Sequence, residues 1–452
     1  MGRDMNRREF IRNAALAAAA FPALFQGCRT TRHAMQGKTK RIFLSDIHMG
    51  DGRSVNPGGT FKPYCWFYDT RPQLLGAFLK RHCIDDGSVS EVVIIGDLFD
   101  EWICPSQFDP TDPAHPMPPQ GQQFVNIANA QQNKPVIEGL KELASQKRLT
   151  YLTGNHDMLA DKAVIAQIFP GIAYVDAADG HSVYQTADGI WAEHGHWYGL
   201  FNAPYPAKPG GGFSGSRLPL GFFVSRITAD EALKTGNSLS PGEVFKEWIE
   251  HILSKVPDAE NRAKAREKIF EQTVDDILVE LFNTLVSDHA ADPKGGALLN
   301  GLDGIPGTVS WQEVNKRYDR IYSKWENSHA DNVSPYDALW CDSKSLDPAA
   351  RFVFGHEQAR IVICGHTHEP ECTSLLGPTP TPPPEEHSDM SPIYANAGAW
   401  INATPRCTFV ETEFNPETRY HTVCVREWTQ TSNGQYVPQK VPFCPDLGVF
   451  VP

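Results

Sequence analysis

In five short stretches of this chain an apolar run stops abruptly at aspartate, asparagine or histidine. Ile42 to His48 closes on Asp46-Ile47-His48, and Val92 to Asp100 on Gly96-Asp97-Leu98-Phe99-Asp100. Tyr151 to Asp157 closes on Gly154-Asn155-His156-Asp157, Ile190 to His196 on Glu193-His194-Gly195-His196, and Ile361 to His368 on Gly365-His366-Thr367-His368. A single Asp or His in such a place is usually a turn or capping residue. Five in succession are another matter, because short buried strands deliver the residues at their ends to one rim of a sheet. Oxygen and imidazole donors with no cysteine among them suit a hard-to-borderline divalent cation such as Mn²⁺, Fe or Zn²⁺, and there are more of them than one ion needs.

Taken in order, these endings resemble the signature of the calcineurin-like metallophosphoesterases, D-x-H, G-D-x-x-D, G-N-H-D, H and G-H-x-H, over about residues 41–200 and 351–412. The resemblance implies an α/β fold, a two-sheet αββα sandwich, and two divalent metal ions. Asp46, His48 and His368 would hold the first ion, Asn155, His194 and His366 the second, and Asp97 would bridge them. A water shared by two cations loses its proton near neutral pH. That hydroxide is expected to attack phosphorus in line while the cations neutralise the other phosphate oxygens. His156 would contact the phosphate and help to protonate the leaving oxygen, and Asp100 would hold the other ring nitrogen and fix its tautomer. An N-cap or loop bond is the plainer reading of Asp100. Asp157 reads as a structural acid, and His196 is left open between substrate and solvent. Glycines 96, 154 and 365 let the backbone turn where a side chain would crowd the ligands.

Within the superfamily, Gly96-Asp97-Leu98-Phe99-Asp100-Glu101-Trp102 and the stretch from Ala395 to Trp400 are most similar to the branch containing UDP-2,3-diacylglucosamine pyrophosphatases. Those enzymes work on the cytoplasmic side and commonly carry arginine where His156 stands. The expected activity is hydrolysis of a phosphodiester, pyrophosphate or phosphomonoester. The alternative is a non-catalytic exported metal-containing binding lipoprotein, which a missing ligand would favour; every position of the signature is filled.

The elements that must carry these residues follow from periodicity. Arg41–Leu44, Val92–Ile95, Leu149–Leu152, Ile190–Glu193 and Ile361–Cys364 read as strands, and the continuous β-branched run at Val92 suits a strand covered on both faces. Helices are expected over Pro72–Cys83, about Gln122–Gln146 and Asp161–Phe169, with Ser182–Gln185 pairing with Ile190–Glu193 across an Ala187-Asp188-Gly189 turn. The aromatic stretch from Tyr64 to Tyr68 is either core or a wall of the substrate cleft. Strands at Ile393–Asn396, Thr408–Phe414 and Thr422–Trp428 complete the pattern.

Residues 41–200 and 351–430 thus form the two parts of one domain. Between them residues 201–350 read as a large, mainly helical insert after a Gly210-Gly211-Gly212 hinge, either a cap over the site or a packing module. Phe213, Arg217, Phe222, Phe223 and Arg226 would offer it apolar surface and cationic donors. Residues 431–452 are polar and Pro-punctuated, and are expected as a tail.

Residues 1–27 stand apart. Arg7-Arg8 precedes Phe10, and the Ala-rich run from Ala14 to Phe25 is too short for a permanent membrane span, which resembles a twin-arginine export signal. Leu24-Phe25-Gln26-Gly27-Cys28 resembles a lipoprotein processing site, so Cys28 is expected to be lipidated, with residues 28–40 as a tether and the protein held at the membrane of the periplasm or cell envelope. At 452 residues, 41% hydrophobic and 21% charged, the composition is that of a soluble globular chain. The formal charge is −13, and −15 without residues 1–27, with no basic block left to make a nucleic-acid groove. Ten cysteines with no C-x-x-C pair speak against a zinc ribbon. The substrate is expected to be a small-molecule or lipid-linked phosphate ester, and the oligomeric state is left open.

Overall fold

The structure is a computed structural model and describes residues 39–52, 66–104, 121–176, 181–198, 202, 225, 346–356, 359–375 and 391–451. The expected export signal, the lipidation site at Cys28, Tyr64 and the helical insert with its hinge lie outside these residues, Asn202, Ser225 and residues 346–350 excepted.

Two sheets form the framework. The first contains β1 (Thr39–Leu44), β2 (Val89–Ile95), β3 (Leu149–Leu152), β4 (Ala173–Tyr174), β10 (Thr408–Asn415), β11 (Tyr420–Gln430), β12 (Tyr436–Lys440) and β13 (Leu447–Phe450). Its order is β12-β11-β10-β1-β2-β3-β4, with β13 also on β11. The second contains β5 (Tyr184–Gln185), β6 (Ile190–Ala192), β7 (Ile361–Cys364), β8 (Glu371–Ser374) and β9 (Ile393–Asn396), in the order β5-β6-β7-β9-β8. β1 to β4 run parallel, as do β6, β7 and β9, while β10 returns antiparallel against β1.

Side-chain alternation stacks the layers. Phe43, Val93 and Ile95 of the first sheet meet Ile190, Ile361, Ile363, Ile393 and Ala395 of the second, forming a core between the sheets. The intervening residues Ile42, Leu44, Val92, Ile94, Leu149 and Tyr151 point the other way, into a helical layer. That layer holds α1 (Arg71–Phe78, continued by a π-helical stretch Leu79–Asp85), α2 (Gln122–Asn129), α3 (Lys134–Ser145) and α4 (Lys162–Ile168). On the far side Val362, Cys364 and Tyr394 pack with Ala349, Ala350 and Val353 of α5 (Asp347–His356). Each such buried Val or Ile contributes about 1.5–3 kcal/mol of transfer free energy, which is why register in these strands is strictly determined. The layers therefore run helix, sheet, sheet, helix, the α/β sandwich expected from the sequence. Among the described residues no helix is long and apolar enough to cross a membrane.

Three local outcomes differ from expectation. The helix anticipated over Gln122–Gln146 is broken: Ala130 is extended, and α3 restarts with Pro135 in its first turn, where the missing N–H does no harm. Asn133 in the break donates from Nδ2 to Gly50 O and Ile127 O, both at 2.8 Å, and so anchors the loop after the first motif. The strand at Ser182–Gln185 shrinks to β5, and the Ser182 hydroxyl lies 3.3 Å from Thr153 Oγ1. The expected tail 431–452 is corrected: β12 and β13 pair with β11, and Val441, Cys444 and Val449 enter the core between the sheets. Burial of those apolar side chains outweighs the segment's polar average.

Candidate metal centre

Parallel pairing puts the C-terminal ends of β1, β2 and β3 on one rim, and β6 and β7 do the same in the second sheet. Backbone bonds lock the emerging loops together. The Ile47 and His48 N–H groups donate to Asp97 O at 2.9 Å, Trp400 N–H donates to Asp46 O at 3.1 Å, and Gly365 N–H donates to His194 O at 3.1 Å. The chain departs from ordinary geometry here: Asp46, His48, Asp97, His366 and His368 have φ of 52°, 54°, 53°, 71° and 61°. Left-handed backbone at non-glycine residues costs free energy, and its concentration in the residues of one rim is a mark of a functional site. Gly96 has φ 92°, and a Cβ there would stand 2.6 Å from His194 Nδ1. One on Gly154 would overlap Asp97 Oδ1.

One donor group is Asp46, His48 and His368. His368 Nε2 lies 3.2 Å from Asp46 Oδ1 and 3.1 Å from His48 Nε2, and His48 Nε2 is 3.7 Å from Asp46 Oδ1. A second is Asp46, Asp97 and His194. There His194 Nε2 lies 3.1 Å from Asp97 Oδ2 and 3.0 Å from Asn155 Oδ1. Asp97 Oδ2 is also 3.7 Å from His48 Nε2, so this carboxylate faces both groups.

The fit to divalent cations is tested by three observations. Donors about 2.1 Å from one ion stand roughly 3.0–3.4 Å from each other, close to the spacings found. Asp46 Oδ2 accepts from the His366 N–H at 2.8 Å, whereas among the described residues buried Oδ1 has no hydrogen-bond partner and lies among the imidazoles. The tautomers are also set: His194 Nδ1–H donates to Ile95 O at 2.9 Å and His48 Nδ1–H to Asp100 Oδ2 at 3.2 Å, leaving both Nε2 lone pairs for an ion.

Electrostatics agree. Burial disfavours charge on His48, but the hydrogen bond to Asp100, the nearby Asp46 carboxylate and the charges of Asp100 and Asp97 overcome it and raise its pKa to about 10. His194 rises to about 9 against the same burial, driven by Asp97 and Asp46. Asp46, Asp97 and Asp100 are each held below the ordinary carboxylate range despite burial, by the histidines around them. A field that pulls protons this strongly onto imidazoles pulls on cations equally.

Of the expected site residues, Asp46, His48, Asp97, Asn155, His194 and His368 converge as described. His366 comes beside them, its ring centroid 5.2 Å from that of His194, but its Nε2 meets Asn202 Nδ2 at 3.4 Å and it belongs to none of the three-donor groups, of which His48, Asp100 and His156 form a third. Burial and the charge of His194 lower it to about 3, so it is neutral and free to act as a donor. His156 Nδ1 donates to Asp100 Oδ1 at 2.7 Å, and its N–H donates to Asp97 Oδ1 at 2.9 Å. Asp100 also makes the plainer loop bond, accepting from Ile103 N–H at 3.4 Å. Asp157 is buried and accepts backbone N–H bonds from Gly154 at 2.7 Å and Leu98 at 2.9 Å, tying the loops after β2 and β3 together. The solvent reading of His196 is corrected: it is 3% exposed, and among the described residues neither ring nitrogen has a hydrogen-bond partner.

The structure adds contacts and residues that single motifs did not mark. Asp100, expected beside His156, serves His48 as well. Asn202 Oδ1 accepts from Asn155 Nδ2 at 3.3 Å while its own amide faces His366. The aromatic stretch divides: Phe67 is core, whereas the Trp66 ring stands 4.6 Å from His48, 5.3 Å from His368 and 5.8 Å from His156. Trp102, within the resembled motif, lies flat on His156.

Among solved structures the chain is similar to Vps29 of Chaetomium thermophilum, at 9% identity and a TM-score of 0.27, with 92% of this chain and 98% of that one covered. A likeness at that score carries no argument about function. No family model and no curated protein matches the chain. What its side chains do has to be read from the geometry itself.

Proposed function

We propose that this chain is a metal-dependent phosphoric ester hydrolase of the calcineurin-like type. The observation that carries the reading is the placement of Asp97 between two donor groups with the His156–Asp100 pair alongside. Asp46, His48 and His368 would hold one ion, Asn155, His194 and His366 a second, with Asp97 shared. Divalent cations held there would supply Lewis acidity, lowering the pKa of a bound water and neutralising phosphate oxygens.

The chain's own residues supply the rest. His156 is fixed by Asp100 at Nδ1, so its Nε2 is the nitrogen available to hold a proton and deliver it to a leaving oxygen. Asp100 keeps that imidazole in one tautomer. Trp66 forms an apolar wall at the edge of the donor groups on the side of His156. In the same reading the substrate is a small-molecule or lipid-linked phosphate ester, and the protein is exported by the twin-arginine route and anchored through Cys28.

Metal analysis of the purified protein, joined to assays on p-nitrophenyl phosphate and its bis ester, tests the reading. Bound divalent metal with metal-dependent release of p-nitrophenol is expected. Stoichiometric metal with no hydrolysis of either ester would instead support the binding lipoprotein. For export, replacing Arg7 and Arg8 by Lys should leave precursor in the cytoplasm, and normal processing of that variant refutes the route.

A further inference from the structure

We propose that Trp102 is a positioning residue for His156, its indole fixing the plane of the imidazole while Asp100 fixes one edge. The kinetic part of this inference rests on the phosphoesterase reading; the geometric part does not. The two rings are stacked, with centroids 4.0 Å apart and planes 25° from parallel. Trp102 is 2% exposed and His156 8% exposed, so the contact is formed inside the protein rather than across a wet surface.

Both supports of His156 come from one tight turn. Asp100 is placed by its N–H, which donates to Met49 O at 2.9 Å, and two residues later the chain has turned back, with Cys104 N–H on Glu101 O at 3.2 Å and Cys104 Sγ on Asp100 O at 3.4 Å. The turn thus delivers a carboxylate to the edge of the ring and an indole to its face. A hydrogen bond at Nδ1 alone leaves an imidazole free to swing about that bond. A flat partner on its face removes that freedom, and offset stacking is a favoured arrangement for such rings. The His48 ring, edge-on at 4.6 Å and 86°, and the Trp66 ring, tilted at 5.8 Å, bound the imidazole further. Among the described residues His156 Nε2 makes no hydrogen bond, so the one nitrogen left for a substrate is aimed by contacts elsewhere on the ring.

The test uses the full chain loaded with Zn²⁺ and compares Trp102→Leu, which removes the flat partner, with Trp102→Phe, which keeps one. If the Leu form does not fold, Trp102→Met takes its place. In protein labelled at histidine, the His156 ring signals are identified by their loss in His156→Gln. They should lie upfield in the wild type and move toward free imidazole in Trp102→Leu; signals that stay put overturn the inference. In turnover, Trp102→Leu should lower kcat about 10- to 100-fold on butyl phosphate but only a few-fold on p-nitrophenyl phosphate, whose leaving group needs little protonation. KM and bound metal should hold, and Trp102→Phe should recover most of the loss. Equal losses on both esters, or a folded Phe form as poor as Leu, would reduce Trp102 to packing and overturn the inference. Hydrolysis of neither ester by the wild type would sink the phosphoesterase reading alone, and the ring signals would still decide the role of Trp102.

Discussion

Asp100→Asn probes the point where metal holding and proton delivery meet. One carboxylate oxygen takes the His156 Nδ1–H at 2.7 Å and the other takes the His48 Nδ1–H at 3.2 Å. Asparagine fills the same space but offers one acceptor oxygen and two N–H donors, so only one of the two histidines keeps its bond. If His48 loses it, the ligand's tautomer is no longer enforced, and loss of such an outer partner weakens metal binding about 10- to 100-fold, or roughly 1.4–2.7 kcal/mol. If His156 loses it, the proton donor is misaligned and kcat on a poor leaving group falls about 10²-fold or more. The amide cannot serve both, and its NH₂ pointed at either Nδ1–H is repulsive, so at least one of the two effects should be measurable in this variant. Competition of a fluorescent chelator for the metal gives the affinity, and kcat at saturating metal gives the second term. His156→Gln should show the kinetic loss with unchanged affinity. An Asp100→Asn protein whose metal affinity and kcat on a poor leaving group both equal the wild type's refutes the shared role.

Asp97→Ala should strip metal from both donor groups and abolish hydrolysis, while His156→Ala should keep its metal and lose less on p-nitrophenyl phosphate than on an alkyl ester; metal content and paired assays check both. Gly154→Ala should empty the centre without unfolding the sandwich, since the added Cβ overlaps Asp97 Oδ1 and stands 2.8 Å from its backbone nitrogen; metal content against circular dichroism reads this. Far from the site, Asp188 accepts from Arg41 Nη1 at 2.7 Å and lies 3.1 Å from His421 Nε2. Burial raises its pKa, but the His421 bond and the Arg41 charge outweigh burial and hold it well below the usual carboxylate range. Its stabilisation is therefore complete above the unfolded-state value of about 3.9 and is lost as the pH falls from there toward the folded value. Asp188→Asn should cost about 3 kcal/mol in urea titrations at pH 7, and the gap to wild type should narrow below about pH 4; a gap that is constant with pH contradicts the assignment.

The rim was legible because each of its strands is short, apolar and closed by a donor, so pattern and chemistry coincide at Asp46, Asp97, Asn155, His194 and His366. The alternation of Ile42, Phe43 and Leu44 between two cores needs the second sheet to be seen, since both faces of the strand are apolar and no period of two survives. The strand Tyr436–Lys440 was hidden by its polarity and by Pro438, which an edge strand tolerates because one side of its backbone pairs with nothing. Asp100 illustrates the limit at the site. Its bond to His156 follows from the resembled motif, whereas its bond to His48 crosses 52 positions and depends on how two loops lie against each other. Asn202 and Trp102 were invisible for the same reason, as an amide and an indole carry no signature until a neighbour is known.

The pairing of β1 with β10 sets a timetable. β1 lies between β2 and a strand that leaves the ribosome roughly 360 residues later, on the order of 20–70 s at ordinary synthesis rates. Throughout that interval β1, which leads into Asp46 and His48, has an open edge, and for most of it neither His366 nor His368 has been synthesised. The group of Asp46, His48 and His368 therefore cannot close until late in synthesis, and a metal met before then finds at most the donors of the earlier motifs. The cellular compartment in which the last strand docks then bears on which metal the completed site encounters.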